Sequence, residues 1–514
     1  MLGAVRPTAA RRSWWLREAL AAEAAATPHL AAAAPPLRGS TTADVVVVGG
    51  GYTGLWTALR LTELEPGARV VLLESDICGG GPSGRNGGFL TNWWDEFPTL
   101  LDRYGPNAAI EVGHAIESAV DEVGAFCAAN GVDAWFTKAG SLSASAAPAQ
   151  DGGWMPAVAA LREHGLGDRL VPLSADEVRA RVDSPVFREG AFMPAAATVQ
   201  PAALARGLRR VLLDRGVTIH EGTAAVEIDG QRPGWFGGLG AGTRRAPRRR
   251  GTAGGPRPVK VRTSSRENDG NGEGEVLAGS AVLAMNAWAA AWPWFGSRLV
   301  TWSSYIVLTE PIPDRLADIG WTGGEGVADA RFTLHYLRTT PDGRIALGGG
   351  GGRAGFAGRI GPVFTDSVVD ARRAAAGLRR LFPSLRDVRI EEAWGGPIDI
   401  SSDHLPWFGS VKGRPIHYGH GYSGNGVGPA VVGGRILAAR AVERADDPAL
   451  ALALANGRPP RGFPPEPARF LGARLVREAA VRRETLEERG DEPGAVLREV
   501  SRLPRRFGYH LGPE

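Results

Sequence analysis

Three glycine-rich loops, far apart in the chain, hold the residues best suited to chemistry. The first, Gly49-Gly50-Gly51-Tyr52-Thr53-Gly54, has the spacing G-x-G-x-x-G. It follows the valines Val45–Val48 and precedes an apolar helical stretch, Leu55–Leu64, with Glu74 placed 20 positions past Gly54. That order aims backbone N–H groups at an anion from a helix N-terminus and sets a carboxylate to accept hydrogen bonds from ribose hydroxyls. The chemistry is the holding of an adenine dinucleotide by its pyrophosphate. Gly49, Gly51, Tyr52, Thr53, Gly54, Glu74 and Ser75 are the expected contacts.

Directly after Glu74 comes a second loop of nearly bare backbone, Cys78-Gly79-Gly80-Gly81-Pro82-Ser83-Gly84-Arg85-Asn86-Gly87-Gly88. It would lie where a longer cofactor continues past its pyrophosphate. Near the far end a third loop, Gly419–Val427, leads into a helix at Pro429–Arg440. A helix N-terminus aimed at a flavin ring stabilises the anionic reduced form. Three such loops fit FAD better than NAD. A reductase or monooxygenase drawing on NAD(P)H needs a second fingerprint. Gly348–Gly352 follows a strand but lacks the helix and the acidic partner.

These loops need elements to position them. Asp44–Val48 and Arg69–Leu73 have the uninterrupted apolar character of strands buried on both faces, and with the helix between them form a βαβ unit. Pro201–Arg215 predicts a helix with Leu204, Leu208 and Leu212 on one face. Val217–His220, Ala224–Ile228 and Glu275–Ala284 read as strands. Asp133–Ser145 and Val300–Gly350 hold further strand patterns, with a turn at Pro341-Asp342-Gly343, and strands flank Trp394–Pro397. The tail beyond Asp446 is punctuated by proline, then helical and highly charged, as a surface wrap would be. No internal repeat is present.

A chain of 514 residues suggests two or three domains. Hydrophobic residues at 43% and charged residues at 22% are ordinary globular values, and 72 glycines with 37 prolines stay below a low-complexity share. A wholly disordered protein is excluded. Two cysteines, Cys78 and Cys127, cannot by themselves make a disulfide framework or a zinc site. His417 and His420 lack a third ligand at suitable spacing, so no metal is expected. The net charge is +4, yet 231–262 alone carries nine basic residues and no acidic one. The expectation is a solvated, disordered basic insertion at 232–257 and no nucleic-acid surface. Arg11-Arg12 looks like the opening of a twin-arginine export signal, but Arg17, Glu18 and Glu23 interrupt the apolar core that must follow. An amphipathic helix with Trp14, Trp15, Ala19 and Leu20 toward the body is expected instead. No run of about 18 uncharged apolar residues exists to span a membrane. A soluble, cytoplasmic protein is the expectation.

Four segments now combine: ADVVVVGGGYTGLWTALRL (43–61), SGRNGGF (83–89), WGGPIDISSDHLPWFG (394–409) and GYSGNGVGPAVVGGRILA (421–438). In sequence and order they resemble the FAD-dependent D-amino-acid oxidase superfamily, nearest its bacterial amine and γ-glutamylputrescine oxidoreductases. The likeness runs from about Ala43 to Arg440. It implies an α/β FAD-binding domain, Rossmann-like and of the glutathione-reductase type, plus a substrate domain on a mixed, mainly antiparallel β-sheet with helices. The expected division is 1–39, an N-terminal helix and linker; 40–90, 189–292 and 399–445, a discontinuous FAD-binding domain; 91–188 and 293–398, the substrate domain; and 446–514, a helical tail. It further implies non-covalent FAD, with adenine held through the backbone of Val226, pyrophosphate and flavin lined by Ser83, Gly84, Arg85, Asn86 and Gly87, and the flavin's pyrimidine edge approached by Gly424, Asn425, Gly426 and Val427. A small-molecule amine is the implied partner. Hydride would pass from the carbon bearing nitrogen to flavin N5, and the imine would then be hydrolysed.

Two departures from the superfamily bear on the substrate and the acceptor. Amino-acid oxidases of the superfamily often hold the substrate carboxylate with an arginine just before the proline that opens the 394–409 segment. Here that place is Gly396, before Pro397, so the bidentate fork is missing. Arg331 and Arg338 are the alternatives from the sheet. The lysine that sarcosine-oxidase-like members place over the flavin has no counterpart in Arg344–Gly350, so oxygen and other acceptors both stay open. Pocket candidates are Tyr305, His335, Tyr336, Trp394 and Tyr422, an aromatic wall suited to an amine. His335 and Tyr336 point to opposite faces of their strand, so at most one lines the site. Cys78 reads as a small packing residue, not a flavin linkage. The resemblance favours C–N oxidation of an amine or amine conjugate; a glycine or D-amino-acid oxidase and a non-catalytic FAD-holding subunit are the alternatives.

Overall fold

Two eight-stranded sheets organise the chain in the computed structural model, which describes residues 12–234, 257–267, 270–349 and 351–509. The first grows from the βαβ unit. Gly39–Val48 lies parallel between Val70–Leu73 and the long Gly270–Leu283, with Thr218–His220 beyond one and Ile416–His420 beyond the other. Trp407–Ser410 closes that edge antiparallel, and Val259–Glu267 with Thr223–Ile228 folds back on the first half of Gly270–Leu283. The valine run is explained by burial on both sides. Val45 and Val47 pack among the helices Tyr52–Leu64, Pro201–Asp214 and Pro429–Ala441, while Val46 and Val48 pack with Trp292 and Phe295. Each such side chain contributes about 1.5–3 kcal/mol relative to exposure.

The second sheet runs Ile390–Ile400, Val300–Thr309, Ile345–Gly349, His335–Thr339, Gly326–Asp329, Ser141–Ala144, Gly190–Met193 and Val171–Leu173. Every pairing is antiparallel except that of Gly326–Asp329 with Ser141–Ala144. One face buries Val307, Leu337 and Leu347 against the helix Val368–Leu381. The other looks toward the loops of the first sheet. Helix Trp14–Ala26 is wedged on that side, burying Trp15, Leu16 and Ala19 with Ile306, Leu308 and Trp394.

Two segments cross the boundaries expected from sequence. Strand Gly190–Met193, grouped there with the FAD-binding pieces, pairs with Ser141–Ala144 of the second sheet. Helix Pro106–Ala129, grouped with the substrate domain, buries Val112, Ile116, Val120 and Val123 in the same core as helix Tyr52–Leu64. Its apolar stripe needs a helical partner, and the first sheet provides one. Just past the expected basic insertion, Lys260 and Arg262 lie on strand Val259–Glu267 and reach Glu275 at 2.6 and 3.7 Å. Of the insertion itself, 235–256 lies outside the described residues. Among the described residues no helix is long and apolar enough to cross a membrane.

Candidate active site

Strand and helix meet at the first loop at a distance that only glycine permits. A Cβ on Gly54 would stand 1.9 Å from the Gly49 carbonyl oxygen, and one on Gly49, whose φ is +116°, would stand 2.3 Å from that of Ala284. Behind this loop Gly50 N–H donates to Glu74 Oε2 at 2.7 Å, while Asp76 N–H and the Ser75 hydroxyl donate to Oε1 at 2.8 and 3.1 Å. Burial pushes the Glu74 carboxyl up to about 7. The second loop lies directly on the first: Tyr52 N–H donates to Ser83 Oγ at 2.9 Å and Gly79 N–H to the Gly50 carbonyl at 3.0 Å. Asn86 shapes the turn, donating to the carbonyls of Pro82 and Ser83 and accepting Gly88 N–H at 2.7 Å. Arg85 donates to the carbonyls of Gly80 and Gly395, both at 3.0 Å, and burial lowers its guanidinium to about 10.

The adenosine side is marked by Thr223, whose N–H donates to the Glu74 carbonyl at 2.7 Å. Three residues on, Val226 falls at the register shift between the pairs Ala225–Thr263 and Glu227–Arg262. Its backbone therefore stands outside the paired register, where a base edge could use it.

The third loop joins the other two. The Thr53 hydroxyl donates to Tyr422 Oη at 2.9 Å, and Thr91, just past the second loop, donates to Asn425 Oδ1 at 2.5 Å. Gly424 takes φ +92°, Gly426 packs on Tyr422, and Val427 is buried in the core beneath the helix Pro429–Ala441. A residue that sequence reading did not single out holds this loop. Asp399 accepts Gly421 N–H at 2.6 Å and the Asn286 amide at 3.0 Å, its carbonyl accepts Ser423 N–H at 2.9 Å, and burial pushes its carboxyl up to about 7. Three glycine-rich loops thus converge on one end of the parallel sheet, with the Glu74 carboxyl directly behind the first. These residues fit an FAD molecule.

The family model described as FAD dependent oxidoreductase, DAO, matches residues 44–440. The chain belongs to this family. Among curated proteins it is 28% identical over 77% of its length to a probable oxidoreductase OrdL of Rhizobium meliloti, covering 82% of that protein. It is 26% identical over 76% of its length to the gamma-glutamylputrescine oxidoreductase of Escherichia coli, covering 81% of it. Among solved structures it resembles the glycine oxidase of Geobacillus kaustophilus, with a TM-score of 0.58, 17% identity, 78% of this chain and 95% of that one. The L-proline dehydrogenase of P. horikoshii shares the fold at a TM-score of 0.56, 18% identity, 81% of this chain and 96% of that one. The chain is a flavoprotein oxidoreductase that uses FAD, with the two-sheet architecture of the DAO fold.

Strand pairing sorts the pocket candidates of this flavoprotein. Tyr336, Gly348, Ile306 and Trp394 stand opposite one another across four strands and so share a face. Tyr336 meets the second glycine loop: a Cβ on Gly87 would lie 2.8 Å from its ring. Its hydroxyl is 3.0 Å from Ser304 Oγ, and Gly396 stands opposite Ser304 on the same face. His335 alternates to the far face, where Nδ1 meets Asp329 at 2.7 Å and the ring packs against Gly377 of helix Val368–Leu381. Tyr305 points the same way and donates to the Val363 carbonyl. Trp394 has the right face, but its Nε1–H is bonded to the Arg85 carbonyl at 3.0 Å, so it supports the loop. Tyr422 packs beneath the third loop against Phe408. Of the five, Tyr336 is the one that faces both the loop and a polar partner.

Other sequence candidates find structural places. Arg331 pairs with Glu484 and Glu488 of the C-terminal segment, both at 3.1 Å, and Arg338 donates to the carbonyls of Val199 and Thr339. Cys78 is fully buried beneath Gly50, and burial pushes its thiol up, the behaviour of an inert packing residue. His420 sits among Phe295, Trp407 and Tyr418, and His417 contacts Ser410 at 2.7 Å. Among the described residues no cluster of three or more His, Cys, Asp or Glu could hold a metal ion.

Proposed function

We propose that the chain oxidises the C–N bond of a primary or secondary amine, or of an amine conjugate, where Tyr336 and Ser304 face the second glycine loop. The observation that carries this reading is Gly396. It shares that face at the place where amino-acid oxidases of the superfamily carry a carboxylate-binding arginine, and it offers no fork. Of the two sheet arginines that could replace it, Arg331 is paired with carboxylates and Arg338 is held by main-chain carbonyls. The likeness to a gamma-glutamylputrescine oxidoreductase supports an amine conjugate as the substrate class.

Bound FAD supplies the hydride acceptor, N5 of its ring. The chain has four tasks. The N-terminus of helix Tyr52–Leu64 neutralises the pyrophosphate, and Glu74 accepts the ribose hydroxyls. Gly87 and Gly396 let the second loop close onto the strands, Gly87 against the Tyr336 ring and Gly396 against the Arg85 stem. The Tyr336–Ser304 hydroxyl pair holds the amine nitrogen in its neutral form, orienting the carbon that loses hydride. Burial raises the Tyr336 phenol above its ordinary value, so it stays protonated and serves as a hydrogen-bond partner, not a base. Water then hydrolyses the released imine to a carbonyl compound and an amine or ammonia. Two buried, unpaired cysteines agree with action in the reducing cytoplasm.

Product analysis tests the reading. Holoenzyme incubated with amines lacking an α-carboxylate should release an aldehyde with ammonia or the shorter amine. Turnover confined to amino acids would overturn it. One observation favours that second reading: Arg338 lies two residues past Tyr336 on the same face, its Nη1 2.8 Å from where a Cβ on Gly88 would stand, so a substrate carboxylate could be met there. Arg338→Lys would then raise KM for amino acids.

A further inference from the structure

We propose that helix Trp14–Ala26, which lies outside the family match, is a working part of the flavin site: its two ends fasten the second glycine loop, one at the loop's middle and the other at its start. The proposal rests on the reading that this loop borders the flavin. A loop so poor in side chains has little of its own to fix it, and its position must come from what packs on it. At one end stands Ser13, fully buried. Its Oγ accepts Leu16 N–H at 3.1 Å, capping the helix, and donates to the Gly84 carbonyl at 2.5 Å. The next carbonyl, of Arg85, takes the Trp394 indole N–H, and Trp394 stands edge-on to Trp15 with ring centroids 5.8 Å apart. Gln200 fastens the same turn, donating to the Trp15 carbonyl at 2.8 Å and to Glu18 at 2.7 Å.

The other end of the helix reaches the start of the loop through ions. Glu23 accepts from Arg206 at 2.8 Å; Arg206 and Arg209 grip the fully buried Glu221; and Glu221 accepts Cys78 N–H at 2.7 Å. On its outer side the helix is tied to the second sheet, Arg17 pairing with Glu392 and Arg344 lying 5.6 Å over the Trp14 ring. The clamp therefore spans both sheets and the loop between them. Removing Ser13 Oγ leaves a buried carbonyl unsatisfied, and removing the Glu23 charge unbalances a buried ion cluster.

The test uses the full chain with Ser13→Ala, Glu23→Gln and Trp15→Ala. It measures the Kd for FAD by titrating apoprotein, the visible circular dichroism of bound flavin, and Tm with and without FAD. The expected result is an FAD Kd about tenfold weaker in each, with an altered flavin dichroism. Ser13→Thr, which keeps the hydroxyl, should restore both. A helix that only stabilises the fold would lower both Tm values together and leave Kd and dichroism unchanged, which would overturn the proposal. Asn86→Ala separates the two levels. If it binds FAD like the parent, the loop reading fails and the clamp with it; if it weakens FAD while Ser13→Ala and Glu23→Gln do not, the clamp alone fails.

Discussion

The cofactor side and the substrate side of this flavoprotein are built by different means. On the cofactor side, backbone does most of the work: a strand end, a helix start and three glycine-rich loops, with approaches at Gly49 and Gly54 that a single Cβ would break. On the proposed substrate side, side chains do the work, and each one's direction depends on strand alternation and on register with strands tens of residues away. Tyr336 and Ser304 meet although 32 residues separate them, whereas Tyr336 and its neighbour His335 never share an environment. The first kind of site tolerates little change of shape; the second tolerates changes of chemistry, which is how one cofactor cradle serves many substrates.

The sharpest way to break the comparison is at Gly54. Gly54→Ala places a methyl group 1.9 Å from a carbonyl oxygen, and FAD affinity should fall on the order of a hundredfold or more, read by flavin content and titration. Tyr336→Phe should do the reverse, retaining FAD with its parent Kd while kcat/KM for the amine drops about tenfold. A proportional loss of FAD in that variant would erase the distinction between the two sides.

The pH dependence of cofactor binding sharpens it further. Glu74 is raised to about 7 in the cofactor-free chain, and ribose hydroxyls donate to its ionised form. FAD affinity should be full above that value and fall severalfold as the pH drops through about 7. Glu74→Gln should flatten the profile, measured as Kd between pH 5.5 and 8.5. The smallest effect on catalysis is expected at His335. His335→Leu should cost about 1–3 kcal/mol of stability by abandoning buried Asp329, seen as a lowered Tm, with kcat unchanged.

The same contrast explains what could be read in the sequence. The first loop was legible because strand, turn, helix and acidic partner are contiguous, and each spacing has a local physical reason. The valine run announced burial on both faces for the same cause. Asp399 has no local mark, although it lies within 394–409, because its partners Asn286 and Gly421 come from distant pieces and meet it only in the fold. Ser304 has no local signature at all; it becomes visible once Ser304 is set opposite Gly396 and near Tyr336. Alternation did show that His335 and Tyr336 could not both line the site, but not which of them did. That choice belongs to helix Val368–Leu381, which covers the His335 face. Strand Gly190–Met193 was assigned by its neighbours in sequence, and pairing with Ser141–Ala144 moved it to the other sheet.

The central claim is that the glycine cradle holds an FAD that an amine reduces. The most direct measurement is the visible spectrum of the purified protein, mixed without oxygen with amines, N-methyl amino acids and D-amino acids. The account predicts a flavin spectrum that bleaches with an amine lacking an α-carboxylate, all of the flavin being released on acid precipitation. Protein that neither contains nor takes up FAD, or a flavin that amino acids alone can bleach, would contradict it.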